Sequence, residues 1–248
     1  MINARISIHA TRNPEIREEP RREGESNAAW IARVLGDSTA PRILLVGGAA
    51  LTDFRVRVAQ SHVRSDLKPS FWSHAAVLVP GAPPRLFHVD FEAAMPASEV
   101  PGVNGISEID LDRFDDLGRF PNLALLRFPG ADAATVLEGI GVLRLSRLSE
   151  DLVSPLVRWL GYVWGVDAAA SPLVAGVPLP SAQFVDAAFA YANVDIVPGL
   201  SSRAACPEAI WQASLWWTGY YAGDDADDPR SVPCGSYVLG QRSASVRE

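Results

Sequence analysis

Hydrophobic and polar positions along the 248 residues change character from stretch to stretch, and those changes mark the elements. Residues 1 to about 26 are polar and charge-rich, and Pro14 and Pro20 interrupt any helix there, which predicts a loosely held arm. Ala28 to Leu35 carries apolar residues at helical spacing and predicts a short helix. Arg42 to Val46 (RILLV), closed by Gly47-Gly48, has the pattern of a buried strand and its turn. From Asp53 to His62 the run DFRVRVAQSH alternates, with Phe54, Val56 and Val58 on one side and Arg55 and Arg57 on the other. That period predicts a second strand.

Trp72 to Val79 (WSHAAVLV) and Arg85 to Glu92 (RLFHVDFE) are β-rich runs separated by Pro80-Gly81-Ala82-Pro83-Pro84. Glycine and proline punctuate turns for backbone reasons, so the pair predicts an antiparallel hairpin with a five-residue loop. Leu123 to Phe128 predicts a further strand, closed by Pro129-Gly130. Residues 132–164 carry Leu, Val and Trp at helical spacings, with Pro155 beginning a new helix or kinking one. SAQFVDAAFAYA over 181–192 is an amphipathic helix with Ser181 as its cap, and a last helix begins near Cys206. Beyond it, GDDADDPR and the Gly/Ser/Arg-rich end read as loop and tail. Strands come first and helices later, with no internal repeat, an order that favours α+β over alternating α/β.

With 48% hydrophobic and 21% charged residues the chain has enough apolar material for a core, which excludes disorder as its main state. A formal charge of -7 without any basic cluster argues against a nucleic-acid partner. Lys68 is the sole lysine, a bias better explained by codon usage in a high-GC bacterial genome than by an arginine-built binding site. No secretory signal pattern and no run of about 20 apolar residues is present, so a soluble, cytoplasmic protein without a stable membrane anchor is expected.

Two cysteines, Cys206 and Cys234, are too few for a disulfide framework: either they pair once or at least one is a free thiol. Pro207 fits the first position of a helix, which places Cys206 at its N-cap, with Glu208 in the first turn. A helix N-terminus favours thiolate over thiol, so the position suits a nucleophile; it equally suits a small buried apolar residue. A thiolate enzyme also needs a base and a group to orient it. His9 and His62 read as surface residues. His74 and His88 lie on partner strands where their side chains can meet, and His88, Asp90 and Glu92 share a face by strand parity. The same pair also reads as a satisfied, half-buried polar site. Cys234, between turn residues, reads as structural. The run Asp224, Asp225, Asp227 and Asp228 lacks the glycine and terminal glutamate of a calcium loop and reads as solvated. No metal or cofactor is expected.

Phe71-Trp72-Ser73-His74-Ala75-Ala76-Val77-Leu78-Val79, then Leu86-Phe87-His88, and far downstream Ala205-Cys206-Pro207-Glu208-Ala209-Ile210-Trp211, together resemble the circularly permuted papain-fold cysteine hydrolases. These form the permuted branch of the NlpC superfamily, with YiiX-type proteins and the lecithin retinol acyltransferase relatives. Ile109 to Leu111 and Asn122 to Arg127 resemble that family's connection into its next strand, and the resemblance spans roughly residues 41–220.

It implies a permuted papain-like core over 41–222, preceded by an arm and short helix over 1–40 and followed by an acidic loop and tail over 223–248. It further implies a cysteine hydrolase acting on a peptide, amide or acyl substrate through a Cys206 thioester, with His74 as general base and His88 orienting it. YiiX-type relatives carry a carboxylate where this chain has His88 and the acyltransferase relatives a second histidine. Asp90 or Glu92 therefore stay open as the third residue, a lipid or thioester acyltransferase as the reaction, and a catalytically silent binding or scaffold protein as a different class altogether.

Overall fold

A computed structural model describes residues 17–89, 105–128, 130–145, 150–165, 171–221 and 234–236. The chain is α+β. Its strands are β1 (Arg17–Glu18), β2 (Arg42–Gly47), β3 (His74–Val79), β4 (Arg85–Val89), β5 (Ile106–Ile109), β6 (Asn122–Leu126) and β7 (Cys234–Ser236). Its helices are α1 (Asn27–Leu35), α2 (Leu51–Ala59), α3 (Ala133–Leu145), α4 (Glu150–Trp164), α5 (Pro180–Tyr191) and α6 (Pro207–Tyr221). The strands form one sheet in the order β1-β7-β6-β2-β3-β4-β5, antiparallel throughout except for the β1/β7 pair.

Alternation along the strands sends successive side chains to opposite faces. Ile43, Leu45, Ala75, Val77, Val79, Phe87, Val89, Ala124 and Leu126 share one face, covered by α2 to α6. Leu44, Val46, Ala76, Leu78, Leu86, Leu123 and Leu125 share the other, covered by Trp30, Ile31 and Leu35 of α1 together with Phe114 and Phe120. The smaller face is tied down by Asn27, which is fully buried. Its Nδ2 donates to the carbonyls of Phe114 (2.6 Å) and Phe120 (2.9 Å) and its Oδ1 accepts from Arg21 Nε (2.8 Å). The connection after β5 is thereby folded down onto α1.

The hairpin is β3 and β4, joined through residues 80–84. The segment after Asp53 differs from its strand-like alternation: it is α2, followed by a short 3-10 turn over Ser61–Val63. Val56 and Ala59 point into the core while Phe54 and Val58 point outward, a helical burial period with the alternation only superimposed. Gly47-Gly48 permits the tight exit from β2, because a Cβ on Gly47 would meet the Phe71 carbonyl oxygen and one on Gly48 the Asp53 carboxylate.

Two further expectations are corrected. The arm is anchored from residue 17: β1 pairs with β7, and Arg33 on α1 bonds Glu19 (3.2 Å) and Glu25 (2.6 Å). The segment around Cys234 is strand β7 against β6 and not a loop, since pairing with β6 and β1 satisfies its backbone groups. Pro155 lies inside α4, the second of the two helices described in this stretch, after α3.

Candidate functional site

His74 opens β3, and its position is fixed from both sides. Ser73 donates its hydroxyl to Asp53 Oδ1 at the start of α2 (2.7 Å) and accepts from Gly48 N–H (3.0 Å), while Ser73 N–H donates to Val46 O (2.8 Å). His88 on β4 is the ladder partner of Ala76, so it is a diagonal neighbour of His74 on the same face. His74 Nε2 and His88 Nδ1 lie 3.0 Å apart in a hydrogen bond. The rings are 9% and 3% exposed, and Phe114 lies 5.7 Å from one centroid and 6.0 Å from the other. A buried imidazole pair of this kind fixes ring orientation, since one nitrogen must donate and its partner accept. Asp90 and Glu92, the other candidates for the orienting role, lie outside the described residues, as do His9 and the acidic run 224–228.

Cys206 stands immediately before α6, at the position the sequence predicts, and accepts Ile210 N–H through its carbonyl (3.1 Å). Its side chain is completely buried in the core on the α2-to-α6 face. Burial pushes the thiol up to about 12, against the backbone N–H groups of Ala209 and Glu208 that hold the sulfur, and the Glu208 carboxyl adds to the rise. The helix-terminus amides are therefore present but outweighed by desolvation.

The imidazoles share the parity of Ala76 and Leu86 and so lie on the opposite, α1-covered face of the sheet. Among the described residues no hydrogen bond joins the sulfur to either ring. The structure thus brings His74 and His88 together and leaves Cys206 outside the pair. Strand alternation turns the rings toward the α1-covered core, and the thiol lies in the other one.

Several polar residues around this region form a buried network. Glu208 is fully buried. Its carboxylate accepts from Ser70 Oγ (2.6 Å), Gln212 Nε2 (2.7 Å) and Arg64 Nη1 (3.4 Å), and its backbone N–H donates to Gln60 Oε1 (2.8 Å). Gln60 Nε2 in turn donates to the Trp72 carbonyl (2.8 Å), and the Trp72 and Trp211 rings meet at 5.2 Å, so the start of α6 is strapped to the start of β3. Burial raises the Glu208 carboxyl above its ordinary value, with Arg64, Ser70 and Gln212 opposing.

Ser181 is likewise buried, but it is no cap: Leu179 holds that position, Pro180 begins α5, and the Ser181 hydroxyl lies 3.4 Å from the N–H of Ala75. Leu179 N–H donates to Ala205 O (2.8 Å), joining the starts of α5 and α6.

Among the described residues no group of three or more His, Cys, Asp or Glu is placed to hold a metal, and no helix is long and apolar enough to cross a membrane. Neither a family model nor a curated protein nor a solved structure matches the chain.

Proposed function

We propose that the protein is an acyl-transferring hydrolase in which His74 carries the proton and His88 orients it, built on a permuted papain-like arrangement of the α+β fold. The observation that carries this reading is the 3.0 Å bond between His74 Nε2 and His88 Nδ1, buried on adjacent strands. A base whose far nitrogen is fixed by a second side chain is the unit that nucleophilic hydrolysis requires. The order of the short motifs along the chain supports the same reading. The Cys206 thiol supports it less: a group pushed up to about 12 and held in the opposite core is a poor nucleophile at neutral pH.

That last observation favours a second reading, a catalytically silent binding protein that keeps the fold. One experiment separates the two. The protein is incubated with a p-nitrophenyl ester, a peptide amide and phospholipid vesicles, and initial rates are compared with those of His74→Ala and His88→Ala. Loss of about 100-fold or more in the rate for His74→Ala supports the hydrolase. Turnover of none of the three supports the silent fold, and turnover unchanged in both variants removes the histidine pair from the reaction. Acyl transfer from lipid alone would replace hydrolysis by an acyltransferase reaction.

A further inference from the structure

We propose that Arg57 anchors an anion-binding site between α2 and the segment leading into β3, one that takes a small oxyanion or the terminal carboxylate or phosphate group of a larger ligand. The site is separate from the histidine pair and does not depend on the acyl-hydrolase reading.

Arg57 sits on the inner side of α2 with 7% of its surface exposed. Its backbone carbonyl accepts the Ser70 N–H (3.0 Å) and its Nε donates to the Ser70 carbonyl (2.6 Å), so the side chain is clamped along residue 70 and held back from bulk water. That clamp uses one of the five N–H donors of a guanidinium. Among the described residues neither Nη has an acceptor, and no carboxylate stands within ion-pair distance of the group. Neither Nη is sealed off, so the small remaining exposure leaves both within reach of a solute.

The carboxylates around Arg57 are turned to other partners. Asp53, one turn earlier on α2, accepts from Ser73 Oγ (2.7 Å). Arg64 is gripped by Asp66 through Nε and Nη2 (2.8 Å each), and its Nη1 reaches Glu208 (3.4 Å). Glu208 in turn accepts from Ser70 Oγ (2.6 Å) and Gln212 Nε2 (2.7 Å). Of the two neighbouring guanidiniums, Arg64 has its counter-ions in contact and Arg57 has none. Burial lowers the Arg57 pKa, Arg64 lowers it further, and Asp53 opposes them.

A cation taken out of water without a partner is costly, and an external anion restores the missing pairing. The bond to the Ser70 carbonyl alone calls for a neutral donor, with no charge to bury. What the guanidinium adds is the fork of Nη1 and Nη2, whose spacing matches two oxygens of a carboxylate or phosphate. The narrow exposure admits the anionic end of a ligand and excludes a bulky one.

The test follows the melting of the full chain in sodium acetate and in sodium phosphate, each exchanged for sodium chloride at constant ionic strength. The wild-type Tm is expected to rise along a saturating curve with at least one oxyanion, and the one that acts distinguishes a carboxylate site from a phosphate site. Arg57→Lys keeps the charge and loses the fork, and should need at least about tenfold more anion for the same rise; Arg57→Gln should show no saturating rise. A linear rise shared by wild type and both variants is the general effect of excluded salts and overturns the proposal, as does a flat response to both oxyanions. Should either variant fail to fold, wild-type amide spectra recorded along the same titrations decide. Shifts centred on Arg57, Ser70 and Phe71 place the anion at this site, and shifts confined to other residues, or none, overturn it. Failure here leaves the hydrolase reading untouched, because no arm of the test involves His74 or His88.

Discussion

Replacing Glu208 separates the hydrogen bonds of a buried carboxylate from the cost of its charge. Glu208→Ala removes the acceptor of Ser70 Oγ (2.6 Å) and Gln212 Nε2 (2.7 Å) and the second carboxylate beside Arg64 (3.4 Å), leaving a void at the start of α6. Hydrogen bonds to a charged group contribute about 1.5–3 kcal/mol each, but the desolvation of the carboxylate is recovered on its removal, so a net loss of about 3 kcal/mol is expected. For a chain of this size that is a fall in Tm of roughly 6–12 °C.

Glu208→Gln keeps the shape and, with the Ser70 hydroxyl turned to accept, keeps the bonding. Its signature is in pH. Burial raises the folded carboxyl above its ordinary value. Folding therefore favours the protonated form, and the wild type loses stability as pH rises from the ordinary carboxyl range through the raised folded value, then levels off. The amide introduced by Glu208→Gln has nothing to titrate, so the stability of that variant relative to wild type should climb over the same window. Urea unfolding from about pH 4.5 to about pH 8 measures it. A difference that stays flat across the series, or a Tm for Glu208→Ala within a degree or so of wild type, refutes the reasoning.

Other outcomes follow from the same geometry. With the thiol pushed up to about 12, roughly one Cys206 in ten thousand is thiolate at pH 8, so its alkylation by iodoacetamide, followed by peptide mass spectrometry, should be about a thousandfold slower in the native protein than in denaturant. A native rate within tenfold of the denatured one would contradict the burial. Asn27→Ala orphans the carbonyls of Phe114 and Phe120 beneath α1 and should cost about 3 kcal/mol in urea unfolding; a loss under about 1 kcal/mol would mean that water satisfies them. Gly48→Ala drives a methyl into the Asp53 carboxylate and should cost about 1–3 kcal/mol, with a smaller cost when made on top of Asp53→Ala, since the two groups occupy one space.

Where the polypeptide's local period coincides with its burial, the elements were legible. The hairpin is an example: Pro and Gly cluster between two β-rich runs, and the ladder from Ala76/His88 to Val79/Arg85 follows. Arg42 to Gly47 is similar, an apolar run with both faces covered, as the central position of β2 demands. The stretch from Leu51 to Ala59 misled because Phe54 and Val58 are apolar yet exposed, at 48% and 39%. Their alternation with Arg55 and Arg57 imitates a strand, although Arg57 is itself buried and donates Nε to the Ser70 carbonyl (2.6 Å). The anchoring of the arm was hidden for a different reason. Arg33 on α1 reaches back eight residues to Glu25 and fourteen to Glu19, and nothing in the local pattern encodes those pairings.

The site shows the same division between local and long-range information. That His74 and His88 can meet follows from strand pairing, which a hairpin makes nearly local in sequence. That Cys206 begins a helix follows from Pro207, again locally. Whether the thiol and the rings share a face is a property of the whole sheet: it depends on which face α2 to α6 cover and which is left to α1. Parity decides it, for Val46 and His74 are ladder partners, and Val46 belongs to the core of Trp30 and Phe114 while Cys206 belongs to that of Trp72 and Trp159. A motif can place a nucleophile at a helix start without fixing which face of the sheet that start meets.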